Sequence, residues 1–172
     1  MLIKSFGLFW RASEIDWRPG TGAKGSFRLL GRRLKNQPGL KIADFRHQQG
    51  IYILYGNFGP YYVGLTRKQG LGKRLRDHQS DKHATLWDRF SWFGFCDHGE
   101  PDAESGICPI GPLPQITMGP PEQAIADIEA LLIKSMGLSN LADMKFNLAR
   151  KWFQIDSHET SYYVAKVRPS AA

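Results

Sequence analysis

GIYILYGNFGPYYVGLT, residues 50–66, holds two short runs rich in β-branched and aromatic residues, Gly50–Leu54 and Tyr61–Leu65, around a turn-like Gly-Asn-Phe-Gly-Pro. Such runs on either side of a glycine-containing turn predict a β-hairpin. Each run sets a tyrosine close to a glycine, more phenols than a turn requires. They can be core filler, a stacking platform or chemistry, and the rest of the chain has to decide.

A chain of 172 residues has room for one domain with a real core. Hydrophobic residues at 42% and charged residues at 23% are those of an ordinary soluble globular protein. The apolar stretches are too short for a membrane span and the N-terminus lacks the order of a signal peptide, so a cytoplasmic protein without membrane contact is expected. Cys96 and Cys108 are too few for a disulfide scaffold and are expected as free thiols. With His98 they fall short of a four-ligand zinc set, and no structural zinc is expected.

Charge says more. The 23 basic and 16 acidic side chains leave +7. Residues 18–46 hold eight cations, among them Arg28, Arg32 and Arg33, against Asp44 alone. Residues 67–76 add Arg67, Lys68, Lys73, Arg74 and Arg76 with no acid. Such clustering suits a polyanion, because each neutralised phosphate releases condensed counterions. A solvated basic face stays open on charge alone.

Along the chain, Leu2–Trp10 reads as a strand. The glycine-rich loop at 18–26 lacks the adjacent Gly-Lys-Ser/Thr of a Walker loop. Phe27–Lys35 reads as a short basic helix, 71–79 as a helix and 86–95 as an aromatic strand whose rings are mostly core. Residues 97–121, rich in Pro and Gly, form a long insertion loop. Pro120-Pro121 opens a helix that runs to Met136 and stops at Gly137. Residues 160–167, TSYYVAKV, read as a final strand.

On the first of these helices Leu71, Arg74, Leu75 and His78 fall on one stripe. An arginine and a histidine thus share the face turned to the hairpin, a costly arrangement unless something anionic meets it. On the later helix Ile125, Ile128, Leu132 and Met136 make the apolar stripe, and Glu129 lies beside it, near the core edge. Asn147 falls in KFNLAR, a turn or cap position by itself.

Taken together, GIY at 50–52, YVG at 62–64, Arg74 and His78 four apart, Glu129 on a later helix and then Asn147 resemble the GIY-YIG nuclease family. The resemblance covers about Gly50 to Asn147, with valine for isoleucine in the second tripeptide and a long insert at 97–121. It implies an α+β fold with a small three-stranded antiparallel sheet flanked by helices. Residues 1–49 would be a basic N-terminal extension on a nuclease domain spanning 50–172. It further implies a metal-dependent DNA endonuclease, of the restriction and defence or the repair and recombination kind. Tyr52, Tyr62, Arg74, His78 and Glu129 carry over as catalytic residues, with Glu129 as the ligand of Mg²⁺ or Mn²⁺ and Asn147 on the substrate. His83 matches a further histidine of some members more loosely. Lys73, Arg76, Arg28, Arg32 and Arg33 are the expected DNA contacts. A homodimer, or a protein partner on the N-terminal region or the 97–121 loop, is compatible with this reading.

The chemistry is consistent with those roles. Phosphodiester hydrolysis needs an activated water and charge neutralisation at the phosphoryl oxygens. A glutamate offers Mg²⁺ a hard oxygen, and arginine offers a planar fork to phosphate. Tyr52 is expected as the general base with His78 orienting it or relaying its proton, and Tyr62 as the positioning group. The alternative is a non-catalytic nucleic-acid-binding module or adaptor on the same fold.

Overall fold

The alternation in residues 50–66 folds into a hairpin of β4 (Gly50–Gly56) and β5 (Gly59–Thr66). It is seen in a computed structural model that describes residues 2–18, 26–33, 40–115, 120–136 and 149–167. Antiparallel pairing sets Tyr52 opposite Gly64 and Leu54 opposite Tyr62. The aromatic run becomes β6 (Arg89–Gly94) and pairs along the other side of β4, Tyr52 opposite Trp92.

The expected small three-stranded sheet is overturned here. The sheet continues past β6 through β1 (Ser5–Arg11), which is antiparallel to β6 and parallel to β7 (Arg150–Gln154). With β2 (Leu30–Arg33) and β3 (Lys41–Asp44), the described residues form a mixed seven-stranded sheet in the order β3-β2-β7-β1-β6-β4-β5. The α+β class itself stands. Residues from the N-terminal segment enter this sheet as three strands, β1 at its centre.

Two elements differ in type from the sequence reading. Of the run Phe27–Lys35, expected as a helix, the described residues 27–33 hold strand β2 instead. Its period of two is disguised because Gly31 lies under Trp10 and Phe45, and Arg32 occupies a buried position. Arg32 pairs with Glu159 at 3.1 Å and lies over the Tyr163 ring, so this expected DNA contact is a structural ion pair. Residues 160–167 form helix α3 (Thr160–Val167) in place of a strand. Tyr163 is buried with Leu30, Ile42 and Ile155, and Val164 and Val167 flank it, a helical spacing that overrides the β-propensity of the run.

The strands divide their side chains between two faces. On one face Tyr52, Leu54, Phe90 and Trp92 join Trp10, Phe45 and Trp152, and α1 (Gly70–Asp77) covers them through Leu71 and Leu75. Ring centroids among Trp10, Phe45, Phe90, Trp92 and Trp152 lie 4.3–6.1 Å apart. Aromatic pairs in such arrangements contribute about 0.5–1.5 kcal/mol each beyond area burial. Trp87, Phe90, Trp92 and Phe93 are core, as the sequence predicts, and Phe95 is half-buried. On the opposite face Ile53, Tyr55, Phe93, Phe6 and Ile3 receive Ala130 of α2 (Pro121–Ser135).

The bounds of α2 agree with the sequence reading but its orientation does not. Ile125, Ile128, Leu132 and Met136, the expected core stripe, are exposed. The helix is docked instead by Asp127, Ala130 and Ser135. Asp127 accepts hydrogen bonds from the Leu2 N–H at 3.0 Å and from Gln123 at 3.1 Å, and the Tyr55 hydroxyl donates to the Ser135 carbonyl at 2.9 Å. Hydrogen bonds and one small residue choose the face, which hydrophobic periodicity cannot register.

The described part of the 97–121 loop is pinned to the sheet. His98 bridges Ile110, and Cys108 bridges Ala43 beside β3. Cys96 and Cys108 are buried free thiols. Among the described residues no helix is long and apolar enough to cross a membrane.

Candidate active site

Tyr52 projects from the middle of β4 on the α1 side, where it is fully buried. Tyr62 is its diagonal neighbour on β5, the two rings 6.1 Å apart. Gly64, directly opposite Tyr52, has to be glycine, since a Cβ there would collide with the Tyr52 phenol. The second tripeptide thus keeps its glycine to make room for the tyrosine of the first.

The stripe on α1 brings the other groups as expected. Arg74 hydrogen-bonds Tyr52, and its charge acts on both phenols. His78, at the C-terminal cap of α1, is buried. Its Nε2 lies 2.7 Å from the Tyr52 hydroxyl and its Nδ1 2.7 Å from Asp81 Oδ2. An ionised carboxylate only accepts, so Nδ1 carries the proton and Nε2 accepts from the Tyr52 O–H. The Trp87 indole donates to the His78 carbonyl at 3.2 Å and steadies the backbone there. His83 completes the cluster. Its ring stands 4.7 Å from Tyr62 and 5.0 Å from His78, and its Nδ1 takes the Tyr61 hydroxyl at 3.1 Å.

Asp81 is the member that the sequence reading missed. The available signal was the spacing His78-x-x-Asp81-x-His83, which places a carboxylate one turn past the histidine. Burial opposes its ionisation, but hydrogen bonds from the His83 N–H and from His78 hold the Asp81 carboxyl below the usual range. It therefore faces His78 as an anion.

Tyr52 is shifted the other way. Burial pushes its pKa up to about 12, the Arg74 charge working against that rise and Tyr62 adding to it. A group whose folded pKa is raised stabilises the fold fully below its unfolded value near ~10 and loses that contribution as pH climbs through the folded value. Two pH units correspond to about 2.7 kcal/mol. As pH climbs from below 10 to above 12 the wild type is expected to lose up to about that much more unfolding free energy than Tyr52→Phe, most of it between pH 10 and 12, measured by urea denaturation at each pH.

A groove of about 550 Å³ opens beside Tyr62, with Gly64, Arg67, Lys68, Gln69 and Arg74 on its walls. Among the described residues it carries three cations and no acid. Tyr52, Tyr62, Arg74 and His78 are thus assembled in one place.

Glu129 is not among them. It is exposed on α2, and its neighbour Ala130 packs on the Ile53 and Tyr55 face, so the sheet separates Glu129 from Tyr52. The residues present therefore do not fit an ion held by Glu129 at this cluster. His78, Asp81 and His83 each place one ligand atom within 4.8 Å of the others. Two imidazoles and one carboxylate favour a transition ion over Mg²⁺, but both nitrogens of His78 are already engaged. Of the expected DNA contacts, Lys73 and Arg76 are exposed on α1, Arg28 and Arg33 are half-buried, Arg32 is internal, and Asn147 lies outside the described residues. Comparison with protein-family models, with curated proteins and with solved structures finds no match to this chain.

Proposed function

We propose that the protein is a DNA endonuclease that hydrolyses phosphodiester bonds through Tyr52, His78 and Asp81. The observation that carries this reading is the pair of 2.7 Å hydrogen bonds in series, Tyr52 to His78 and His78 to Asp81, beside a groove lined by cations. A surface that only binds a polyanion has no use for a buried phenol wired to a carboxylate.

Each part has a chemical task. With its pKa near 12, Tyr52 is almost never ionised at neutral pH, so it is an effective base only while handing its own proton on. As the attacking water gives a proton to the Tyr52 oxygen, the Tyr52 proton passes to His78 Nε2. The imidazolium that forms is met by the Asp81 carboxylate. Hydroxide adds to phosphorus, the bond to the leaving oxygen breaks, and that oxygen takes a proton from solvent while His78 Nε2 returns its proton to the Tyr52 oxygen, which releases one to solvent. Arg74 presents its fork to the phosphoryl oxygens. Tyr62 positions the water or the phosphate.

Plasmid nicking by wild type and Glu129→Gln, in Mg²⁺, in Mn²⁺ and in EDTA, tests the reading. Exposed substitutions away from special features change free energies by under about 0.5 kcal/mol. Glu129→Gln is therefore expected to cut within about threefold of wild type. Loss of cutting in that variant would place Glu129 in the reaction after all. Wild-type protein that binds DNA without nicking it in any buffer would leave the binding module as the function.

A further inference from the structure

We propose that a second cavity, on the far side of α1, holds the phosphate and sugar of a nucleotide flanking the bond to be cut. The proposal deepens the endonuclease reading and rests on it for the identity of the polymer.

The cavity measures about 850 Å³, within the ~300–1,000 Å³ typical of ligand pockets. Arg46 and His47 come from the 3₁₀ turn Phe45–His47, Lys73, Arg76 and Asp77 from α1, and Phe27 lies at its wall. Lys73 and Asp77 neutralise each other at 3.2 Å. Arg46 and Arg76 have no carboxylate partner among the described residues, so the cavity keeps two unbalanced positive charges.

Both arginines are held in place before any ligand arrives. Arg46 Nη1 donates to the Phe27 carbonyl at 3.1 Å, and Nη2 lies 3.0 Å from His47 Nε2. Its Nε is buried without a partner among the described residues. The Arg76 guanidinium lies over the Phe27 ring, 5.7 Å from its centroid. Gly72 lets the turn and α1 meet, since a Cβ there would run into the Arg46 stem and backbone. Fixed guanidinium groups above an apolar wall are a receptor for phosphate attached to something flat or apolar, which describes a nucleotide.

The location ties this cavity to the groove beside Tyr62. Gln69 lines both, so they adjoin at the start of α1. A helix is about 10–12 Å across and a stacked strand advances about 3.4 Å per nucleotide. A strand whose phosphate sits at Arg74 therefore reaches the second cavity about three nucleotides away.

The test uses the full chain carrying Tyr52→Phe, so that binding is read without turnover. Anisotropy of a fluorescein-labelled single-stranded 14-mer is followed over a salt series, with and without Arg76→Gln or Arg76→Lys. Arg76→Gln is expected to weaken binding about tenfold or more at low salt and to lower the slope of log K against log salt by about 0.7. Arg76→Lys keeps the charge and is expected to keep the slope. An Arg76→Gln protein that melts like its Tyr52→Phe parent and shows an unchanged slope would overturn the proposal. So would dAMP competing as well as an unlabelled 14-mer, since that marks a site for free nucleotide. If wild type binds DNA without ever cutting it and Arg76→Gln still lowers the slope, the cavity stands and the endonuclease reading alone falls.

Discussion

Tyr52→Phe is expected to slow cleavage by ~10²–10⁴-fold, the usual worth of general-base catalysis, while DNA affinity is retained. The substitution removes one oxygen at nearly constant ring volume, so the packing of Leu54, Leu71 and Leu75 around it is kept. It leaves His78 Nε2 without its 2.7 Å partner in a buried position, which should cost about 1–3 kcal/mol of stability. Cleavage and thermal melting measured together separate the two effects. Tyr62→Phe, which removes a positioning hydrogen bond beside a charge, should cost the reaction about 1.5–3 kcal/mol. The pH–rate profile divides the roles further. The limb that rises with pH should disappear in Tyr52→Phe and survive in Tyr62→Phe; the opposite pattern would exchange the two tyrosines.

The second large effect belongs to a residue that touches neither phosphate nor water. Asp81→Asn preserves the shape of the side chain and removes its charge. An amide can offer its NH₂ group to His78 Nδ1, which then becomes the acceptor and shifts the proton to Nε2. A protonated Nε2 cannot take the Tyr52 proton, so the relay is blocked at its second step. A loss of ~10²–10⁴-fold in cleavage is expected, about as large as that of Tyr52→Phe. The double variant should be little slower than either single one, because groups that act as a unit are not additive. Asp81 is exposed, so melting temperature and DNA affinity should hardly move. Full activity in Asp81→Asn would show that Tyr52 gives up its proton by another route.

What the sequence makes legible is local. The phase of residues 50–66 places Tyr52 and Tyr62 on one face, and the stripe Leu71, Arg74, Leu75, His78 turns the arginine and the histidine toward them. Both depend on neighbours fewer than thirty positions apart. The rest depends on contacts that no window along the chain contains. β1 pairs with β6 and β7, and β2 with β7, across long separations, and Arg32 is internal because Glu159 and Tyr163 meet it. The face of α2 is chosen by Asp127 reaching Leu2, so the most apolar stripe of that helix ends up exposed and Glu129 on the wrong side of the sheet.

The central place of β1 also sets the order in which the chain can assemble. Ser5 pairs with Gly94 on one side and with Arg150 on the other, partners 89 and 145 positions downstream. Sheets closed by such distant pairings fold slowly. On a ribosome adding about 5–20 residues per second, β1 waits roughly 7–30 s after its own synthesis before β7 exists. Phe6 meets Phe93, and Trp10 meets Phe45, Phe90 and Trp92, before then, but until β7 arrives that edge of β1 is open to any other strand. A fragment starting at residue 50 would keep the hairpin and α1 yet leave the inner edge of β6 unpaired. The cluster of Tyr52, Tyr62, Arg74, His78 and Asp81 is encoded in about thirty consecutive residues, but its support is complete only when β7 has been made.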